Sequence, residues 1–323
     1  MPTAKPIVGY TFTVFTSTRD RAHTLDRPFR SLMAQTFRDF EWLIIDNGST
    51  DGTAELVKRY QAEADFPIRY YWQEDAGKHG SMNRAVALAR GGLFVTLDSD
   101  DACVPTALER FKYHWDTIPV EISDDFTGVT VLCNDQYGHL VGTPFPRDPT
   151  DSDSREIRYR YKVHGEKWGF HRTEVLRQHT FPETPGYSGL IPFSTIWGEI
   201  ARSHKTRYVN ETLHIYWQDQ EVSLSRPISR VDDAYGGMIE TLAILNYDMV
   251  FFADAPKEFV IKAIKYVRSA FHSGRGARAQ WRALSDWRGR ALWVATLPAG
   301  WFVYELERFG LADHVRRVRL LLG

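Results

Sequence analysis

The sequence predicts an α/β fold: a mainly parallel sheet, covered by helices on both faces, with a helical extension at the C-terminus. Apolar, β-prone runs alternate with segments of helical periodicity between residues 8 and 97. Their spacing suits the right-handed crossovers that connect parallel strands. From residue 231 to residue 271 the pattern is helical. Together these observations predict a sheet-forming body followed by a helical C-terminal region.

The first elements follow from the local pattern. Val8–Phe15 is rich in β-branched and aromatic residues, which predicts a first strand that ends in a polar loop at residues 16–21. A helix from about Leu25 to Ala34 has its apolar residues at helical spacing. Trp42–Ile45 is the second strand, and the turn and N-cap residues of Asp46–Gly52 introduce the next helix.

Further along the chain, Ile68–Trp72 predicts the third strand, and Ser81–Ala89 predicts the helix that covers it. Leu93–Leu97 is the fourth strand of this series. Thr127–Cys133 predicts a strand that leads into an antiparallel extension of the sheet, and a helix is expected at Ser194–Arg202.

Acidic residues follow the fourth strand directly. Asp98, Asp100 and Asp101 lie within four positions, and Asp46 ends the second strand. Parallel strands bring these side chains to the carboxyl edge of the sheet, where open α/β folds bind ligands. Crowded carboxylates repel one another unless a cation lies among them, and oxygen ligands suit Mg²⁺ or Mn²⁺. The alternative is an Asp-rich turn that caps the next helix.

Composition limits the classes of protein that fit. The 323 residues are 43% hydrophobic and 25% charged, as in a soluble globular protein, which excludes disordered and collagen-like chains. Cys103 and Cys133 match no metal-ligand spacing and favour a reducing compartment. Residues 1–7 do not resemble a signal peptide, so we expect a cytoplasmic location.

The net charge of −1 is unevenly distributed. Residues 268–323 contain ten Arg, no Lys and four acidic residues, a charge of +6 that leaves −7 on the remainder. A basic end on an acidic body predicts an anionic partner surface. Nucleic acid fits poorly, because the basic residues are not interleaved with an RNA-binding aromatic motif.

Two common nucleotide-binding folds are excluded by missing motifs. A Rossmann fold needs a Gly-x-Gly-x-x-Gly turn after the first strand, and residues 16–21 contain no glycine. The sequence also lacks a P-loop. If a nucleotide binds here, we therefore expect a metal ion to hold its phosphates.

Four motifs, in order, resemble those of family 2 glycosyltransferases of the GT-A fold, of the bacterial polysaccharide and cell-envelope type. They are the loop Thr18–Arg21, the acidic turn Asp46–Thr53, the Gly-Lys stretch Gly77–Asn83 and the Asp-x-Asp signature Asp98–Asp100. Ala76 replaces the first glycine of the third motif. The resemblance covers about residues 7–220.

The resemblance implies a metal-dependent, inverting transfer of a sugar from a nucleotide diphosphate, with UDP-sugars favoured, to a saccharide or lipid-linked saccharide. Asp98 and Asp100 would hold Mn²⁺ or Mg²⁺, and Asp100 would take part in catalysis. The residues assigned to donor binding are Thr18, Arg21, Asp46, Lys78, Asn83, Asp98 and Ser99. Each has a structural alternative: a helix cap for Asp46, a solvated charge for Lys78 and an outer-face polar residue for Asn83.

The general base is the weakest part of the resemblance. In this subgroup a Glu is expected where the chain has Phe193. An inverting transferase needs a carboxylate near the acceptor hydroxyl, and Glu199 is the nearest replacement. Glu199 also has a structural alternative, a surface pair with Arg202. The other acidic candidates are Glu183, Glu166 and Asp219.

The sequence thus predicts a glycosyltransferase domain over residues 1–220 and a helical, basic region over residues 221–323. Within that region, residues 291–303 are apolar but interrupted by Pro298 and Gly300, which predicts an interfacial segment on the inner face of a membrane. The alternative is a helical hairpin packed on the first domain or on a second subunit. The sequence leaves the oligomeric state open.

Two other functions fit the same residues. One is a sugar-nucleotide or glycan-binding protein that has lost its base, which Phe193 makes plausible. The other is a nucleotidyltransferase built on a related sheet.

Overall fold

A computed structural model of the chain describes residues 9–182, 187–218 and 233–311. The strands are β1 (Tyr10–Thr18), β2 (Phe40–Asp46), β3 (Ile68–Trp72), β4 (Gly91–Thr96), β5 (Ala102–Cys103), β6 (Phe126–Asp135), β7 (Thr150–Ser152), β8 (Lys167–Arg172) and β9 (Lys205–Tyr216). The helices are α1 (Asp26–Met33), α2 (Thr53–Glu63), α3 (Gly77–Leu88), α4 (Ala107–Asp116), α5 (Ser154–Tyr159), α6 (Thr173–Gln178), α7 (Ser194–Ile200), α8 (Ala234–Tyr247), α9 (Pro256–His272), α10 (Ala277–Ala283) and α11 (Trp287–Arg308). Short 3₁₀ segments lie at Val120–Asp125 and Met249–Phe251.

The chain divides into two compact units. The first comprises Met1–Ser188 and Glu199–Glu221, and the second comprises Gly189–Gly198 and Val222–Gly323. The domain boundary expected after residue 220 lies outside the described residues and stays a prediction.

The first unit is built on one nine-stranded sheet, whose main order is β3-β2-β1-β4-β8-β6-β9-β5. The four strands β3, β2, β1 and β4 are parallel to one another. Beyond β4 the sheet is mixed, because β8 is antiparallel to both β4 and β6 while β6 is parallel to β9. The α/β class and the antiparallel extension are confirmed.

Hydrogen bonds tie the three central strands together near the edge where the acidic turn begins. Trp42 Nε1 donates to the Thr16 hydroxyl at 2.9 Å, and that hydroxyl donates to the Leu97 carbonyl at 2.7 Å. All three residues are fully buried, so these bonds are shielded from water. On the same side of the sheet, Phe29 of α1 stacks on Tyr60 of α2 with ring centroids 3.8 Å apart. The strand ends are therefore fixed relative to one another before any ligand binds.

Two predicted boundaries were wrong. β1 continues to Thr18, so Thr18 is a strand residue and not a loop residue. α3 begins at Gly77, four residues before the predicted start. Side chains satisfy the backbone N–H groups at this helix start: Asp75 Oδ1 accepts from Gly77 N at 3.0 Å and Asn47 Oδ1 accepts from Ala76 N at 3.1 Å. Lys78 consequently lies in the first turn of a helix.

The second unit is helical, as predicted. α11 and α8 both pack along α9. Gln280, which is 1% exposed, fixes α10 in place, because Tyr266 Oη donates to its carbonyl at 3.2 Å and Trp293 Nε1 donates to its side chain at 2.9 Å. No helix in the described part of the chain is long and apolar enough to cross a membrane.

The predicted interruption of the apolar segment at Pro298 and Gly300 was wrong, because α11 is continuous from Trp287 to Arg308. Proline removes one helical hydrogen bond, but Pro298 is exposed and does not disturb the buried side of the helix. Gly300 is buried against Val267 of α9, where a side chain has no room: a Cβ on Gly300 would lie 2.5 Å from the Val267 Cβ. Packing against α9 therefore keeps the helix intact.

Candidate active site

The ends of the parallel strands bring the predicted site residues to one edge of the sheet. Thr18 pairs in register with Asp46, and Asp46 pairs with Trp72. Phe15 pairs with Thr96, the last residue of β4, two positions before Asp98. This edge carries the candidate site.

The three carboxylates after β4 form a tight cluster. Asp98, Asp100 and Asp101 each present a ligand atom, and these atoms all lie within 4.8 Å of one another. Burial and the negative charge of Asp98 raise the pKa of Asp100, and the same two causes raise the pKa of Asp101 to about 9. An all-oxygen donor set whose members repel one another fits Mg²⁺ or Mn²⁺.

Lys78 is part of this cluster. Its Nζ atom donates to both carboxylate oxygens of Asp98, at 2.7 and 2.9 Å. Burial opposes both charges, but their mutual attraction prevails, so the pKa of Lys78 is raised and the pKa of Asp98 is lowered. The alternative interpretation of Lys78 as a solvated surface charge is wrong. Lys78 neutralises one member of the predicted metal-binding pair.

Arginine and tryptophan side chains hold the acidic turn from outside. Arg21 Nη1 lies 3.9 Å from Asp100 Oδ2. Arg27 donates to the Asp100 carbonyl at 3.1 Å, and its guanidinium lies 4.0 Å from the centre of the Trp217 ring. The backbone N–H of Trp217 in turn donates to Asp101 Oδ1 at 2.9 Å. The end of β9 is thereby joined to the acidic turn.

Several buried polar groups at this edge have no hydrogen-bond partner among the described residues. They include the hydroxyl of Thr18, the indole Nε1 of Trp217 and Nδ1 of His214, whose Nε2 lies 3.5 Å from Asp101 Oδ2. A buried donor that lacks a partner costs about 1–3 kcal/mol, so such groups are uncommon unless a ligand satisfies them. Thr18 was expected at the nucleotide, whereas the sequence could not separate Trp217 from a core aromatic residue.

Asp46 is at the predicted edge, but its carboxylate is fully engaged within the protein. It is 0% exposed, Ser49 N donates to Oδ1 at 2.7 Å, and Tyr70 Oη donates to Oδ2 at 2.5 Å. Asp46 therefore closes the turn after β2. The helix-cap alternative was wrong, because the residue that accepts from the first N–H of α2 at Thr53 is Asp51. A contact between Asp46 and a nucleotide base stays a prediction that requires these bonds to rearrange.

Two other residues expected at the donor have structural roles. The amide of Asn83 donates to the Phe181 carbonyl and accepts from the Phe181 N–H, both at 2.9 Å, so Asn83 holds the segment after α6. Ser99 is 8% exposed within the acidic turn. Direct contact of either side chain with the donor stays a prediction.

The base candidates occupy different surroundings. Glu199 pairs with His179 Nδ1 at 3.0 Å, and the Phe193 ring packs edge-on against Trp197 with centroids 5.9 Å apart. Glu166 is an exposed residue that directly precedes β8, and desolvation and the charge of Asp98 raise the pKa of its carboxyl. Glu183 and Asp219 lie outside the described residues.

Comparison with known proteins identifies the family. Residues 13–181 match the family model described as glycosyl transferase family 2. An uncharacterised glycosyltransferase from Nostoc sp. strain PCC 7120 is 35% identical over 311 residues, which cover 90% of this chain and 89% of that protein. The chain belongs to glycosyltransferase family 2.

More distant proteins agree with this assignment. The GalNAc(5)-diNAcBac-PP-undecaprenol beta-1,3-glucosyltransferase of Campylobacter jejuni is 23% identical over 274 residues, with 82% of this chain and 83% of that protein covered. The crystal structure of TarS residues 1–349 from S. aureus, in complex with UDP-GlcNAc, has a TM-score of 0.59 and 16% identity, and 93% of this chain and 92% of that chain are covered. The likeness to TarS confirms the GT-A fold.

The family membership decides between the functions that the sequence left open. This family 2 protein is a glycosyltransferase, so the nucleotidyltransferase and the binding-protein alternatives are set aside. Its Asp98–Asp100 pair is compatible with the Asp-x-Asp signature.

Proposed function

We propose that this glycosyltransferase binds a nucleotide-diphosphate sugar at the carboxyl edge of β1, β2 and β4 and transfers the sugar, with inversion, to a saccharide or lipid-linked saccharide. The observation that carries the proposal is the cluster of Asp98, Asp100 and Asp101, whose ligand atoms lie within 4.8 Å of one another. A divalent cation held by Asp98 and Asp100 would neutralise the diphosphate so that it can leave.

The protein supplies further groups that suit an anionic donor. Lys78 and Arg21 place positive charge beside the acidic turn. Thr18 and the indole N–H of Trp217 are buried polar groups that a phosphate or sugar oxygen would satisfy. Preorganised donors of this kind stabilise the charge that develops on the departing diphosphate.

For the general base we propose Glu166 in place of Glu199. The raised pKa of Glu166, which desolvation and the charge of Asp98 cause, supports the assignment, since a base works best with a pKa closer to neutrality. The contact of Glu199 with His179 Nδ1 at 3.0 Å is a structural role that needs no substrate.

Glu166→Gln should lower kcat about 10²- to 10⁴-fold while leaving donor affinity unchanged, because a missing base removes proton transfer but no donor contact. Steady-state kinetics on the full chain, with donor affinity measured separately, test this prediction. Glu199→Gln is the matched control and should change kcat by less than about threefold. The opposite ranking of the two variants would return the base to Glu199.

The acceptor and the location are inferred from the names of this chain's relatives. The undecaprenol diphosphate in the name of the C. jejuni relative supports a lipid-linked acceptor in envelope polysaccharide synthesis, and hence a place on the cytoplasmic face of the membrane. The UDP-GlcNAc bound to TarS supports a UDP-sugar as the donor.

A thermal-shift screen of UDP, GDP, CDP and TDP and their sugars, each with Mn²⁺, Mg²⁺ or EDTA, tests the proposal. We expect one nucleotide to raise the melting temperature only with metal, because a ligand stabilises the native state appreciably only when its concentration exceeds its dissociation constant and the cation is proposed to hold the diphosphate. The nucleotide that gives the shift identifies the nucleobase of the donor. Product analysis with the matching sugar nucleotide then reports the anomeric configuration. Equal shifts in EDTA would contradict metal dependence, and no shift with any nucleotide would contradict the donor site.

A further inference from the structure

One side of α11 is a continuous apolar stripe open to solvent. Its residues recur at the spacing of a single helix face. Two of them, Trp287 and Phe302, are 73% and 53% exposed. We call this stripe the outer face of α11; it consists of Trp287, Ala291, Val294, Pro298, Trp301 and Phe302. Soluble proteins rarely expose contiguous apolar surface of this extent unless it binds something.

The inner face of α11 explains why the helix cannot turn to bury this stripe. Gly289 and Gly300 face inward at close approaches, where a Cβ would lie 2.3 Å from the Leu245 carbonyl oxygen and 2.5 Å from the Val267 Cβ. Near the end of the helix, Glu307 accepts from Arg268 at 2.6 Å and lies 2.8 Å from His272 Nε2. The orientation of α11 is therefore fixed by its small residues, by buried Trp293 and by an ion pair, and it leaves Trp287, Trp301 and Phe302 outside.

The surroundings of the outer face are basic. Between residues 274 and 308 the chain has six Arg, no Lys and three acidic residues. Two of these are engaged within the protein near the end of α11: Glu307 pairs with Arg268, and Glu305 lies 3.6 Å from Arg308. Asp286 caps α11 by accepting from Arg288 N at 2.8 Å and Gly289 N at 3.2 Å. Arg278 and Arg282 of α10 are exposed. Apolar surface bordered by arginines is the composition of a helix that lies on an anionic membrane.

We propose that the outer face of α11, with the exposed arginines of α10, binds the surface of an anionic lipid bilayer. The helix would lie in the plane of the interface, with Trp301 and Phe302 inserted among the lipids and the guanidinium groups at the phosphates. A second copy of the chain fits less well, because a two-fold interface on this face would bring the same arginines together. The observations behind the proposal all come from the second unit. Binding of this unit to a membrane would bring the enzyme to the lipid-linked acceptor of the proposed function.

Co-sedimentation of the full chain with vesicles tests the proposal. We expect binding to phosphatidylcholine vesicles that contain about 30% phosphatidylglycerol, and much weaker binding to phosphatidylcholine alone. The double variant Trp301→Ser, Phe302→Ser should lower the partition coefficient at least about tenfold, because two aromatic side chains no longer leave water. Arg278→Gln with Arg282→Gln should lower it about fivefold per arginine, and added salt should weaken wild-type binding.

The matched control replaces two exposed apolar residues of the first unit, Val120→Ser with Tyr137→Ser, which are 79% and 77% exposed. This variant should bind vesicles as the wild type does. Wild-type protein that stays in the supernatant, or a Trp301, Phe302 double variant that binds normally, overturns the proposal. If light scattering shows a wild-type dimer that the Trp301, Phe302 double variant converts to a monomer, and neither protein binds vesicles, the face belongs to an interface with a second copy. Donor-induced thermal shifts on the same samples report the proposed function independently, so either idea can fail alone.

Discussion

Asp100→Asn should abolish the metal-dependent binding of the nucleotide-sugar donor and lower turnover by at least about a thousandfold. The variant removes one of the two carboxylates proposed to hold the cation. It should remain folded, because burial and the nearby charge of Asp98 already raise the pKa of Asp100 in the native protein. Removing one of the clustered carboxylates relieves its repulsion with Asp98, and the melting temperature without ligand should hold or rise.

The measurement is the thermal shift produced by the donor in Mn²⁺ and in EDTA, together with turnover. Asp116→Asn is the control, because Asp116 lies on the surface and pairs with Lys112 one helical turn away. If Asp100→Asn shows the same Mn²⁺-dependent thermal shift as the wild type, the Asp98–Asp100 pair does not hold the metal. A melting temperature of Asp100→Asn below that of the wild type, both without ligand, would instead indicate a structural role for Asp100.

Glu240→Ala should destabilise the protein by about 3 to 5 kcal/mol, the cost of removing one partner of a buried ion pair. Glu240 is 6% exposed, and its carboxylate accepts from Lys262 at 3.1 Å, from Lys265 at 3.2 Å and from the Ser194 hydroxyl at 3.0 Å. Without it, two ammonium groups on the same face of α9 lose the carboxylate that lies between them and repel each other. Urea unfolding at pH 7 measures the loss, and the exposed Lys112–Asp116 pair should be worth less than about 1 kcal/mol in the same assay.

The same residue gives the stability a defined dependence on pH. Although burial opposes ionisation, the charges of Lys262 and Lys265 lower the pKa of Glu240 from 4.5 to about 2. A carboxylate with a lowered pKa in the folded state contributes stability above its unfolded pKa and loses it as the pH falls toward the folded pKa. We expect about 3 kcal/mol to be lost between about pH 5 and pH 2. Glu240→Gln should remove this part of the acid dependence, and an unchanged profile would contradict the shift.

The sequence by itself determined the α/β class, the parallel strands β1 to β4 and the family. Alternating strands and helices predicted that Asp46 and Asp98 lie at one edge of the sheet, which is the candidate site, and the four motifs predicted the family. Parallel strands share a direction, so the residues that follow them meet at one edge whatever their side chains touch. The helical character of the C-terminal region was likewise readable, because periodicity is a local property.

The tertiary structure decided what each of these side chains contacts. The carboxylate of Asp46 accepts a hydrogen bond from Tyr70, which is 24 positions away, and the carboxylate of Asp98 accepts from Lys78, which is 20 positions away. Trp217 meets Asp101 across 116 positions, and Arg27 reaches Asp100 across 73. No spacing rule encodes such partners, because periodicity reports only which residues of one element share a face.

In the second unit, α11 also shows which features the sequence predicts and which depend on tertiary packing. Pro298 and Gly300 are two positions apart and predicted a break, yet one is exposed and the other is packed on Val267. The sequence determined that this segment is apolar and bordered by arginines. Only tertiary packing decided that Gly300 and Trp293 lie inside while Trp287 and Trp301 lie outside, because the close approach of two helix backbones admits glycine and excludes larger side chains at that point.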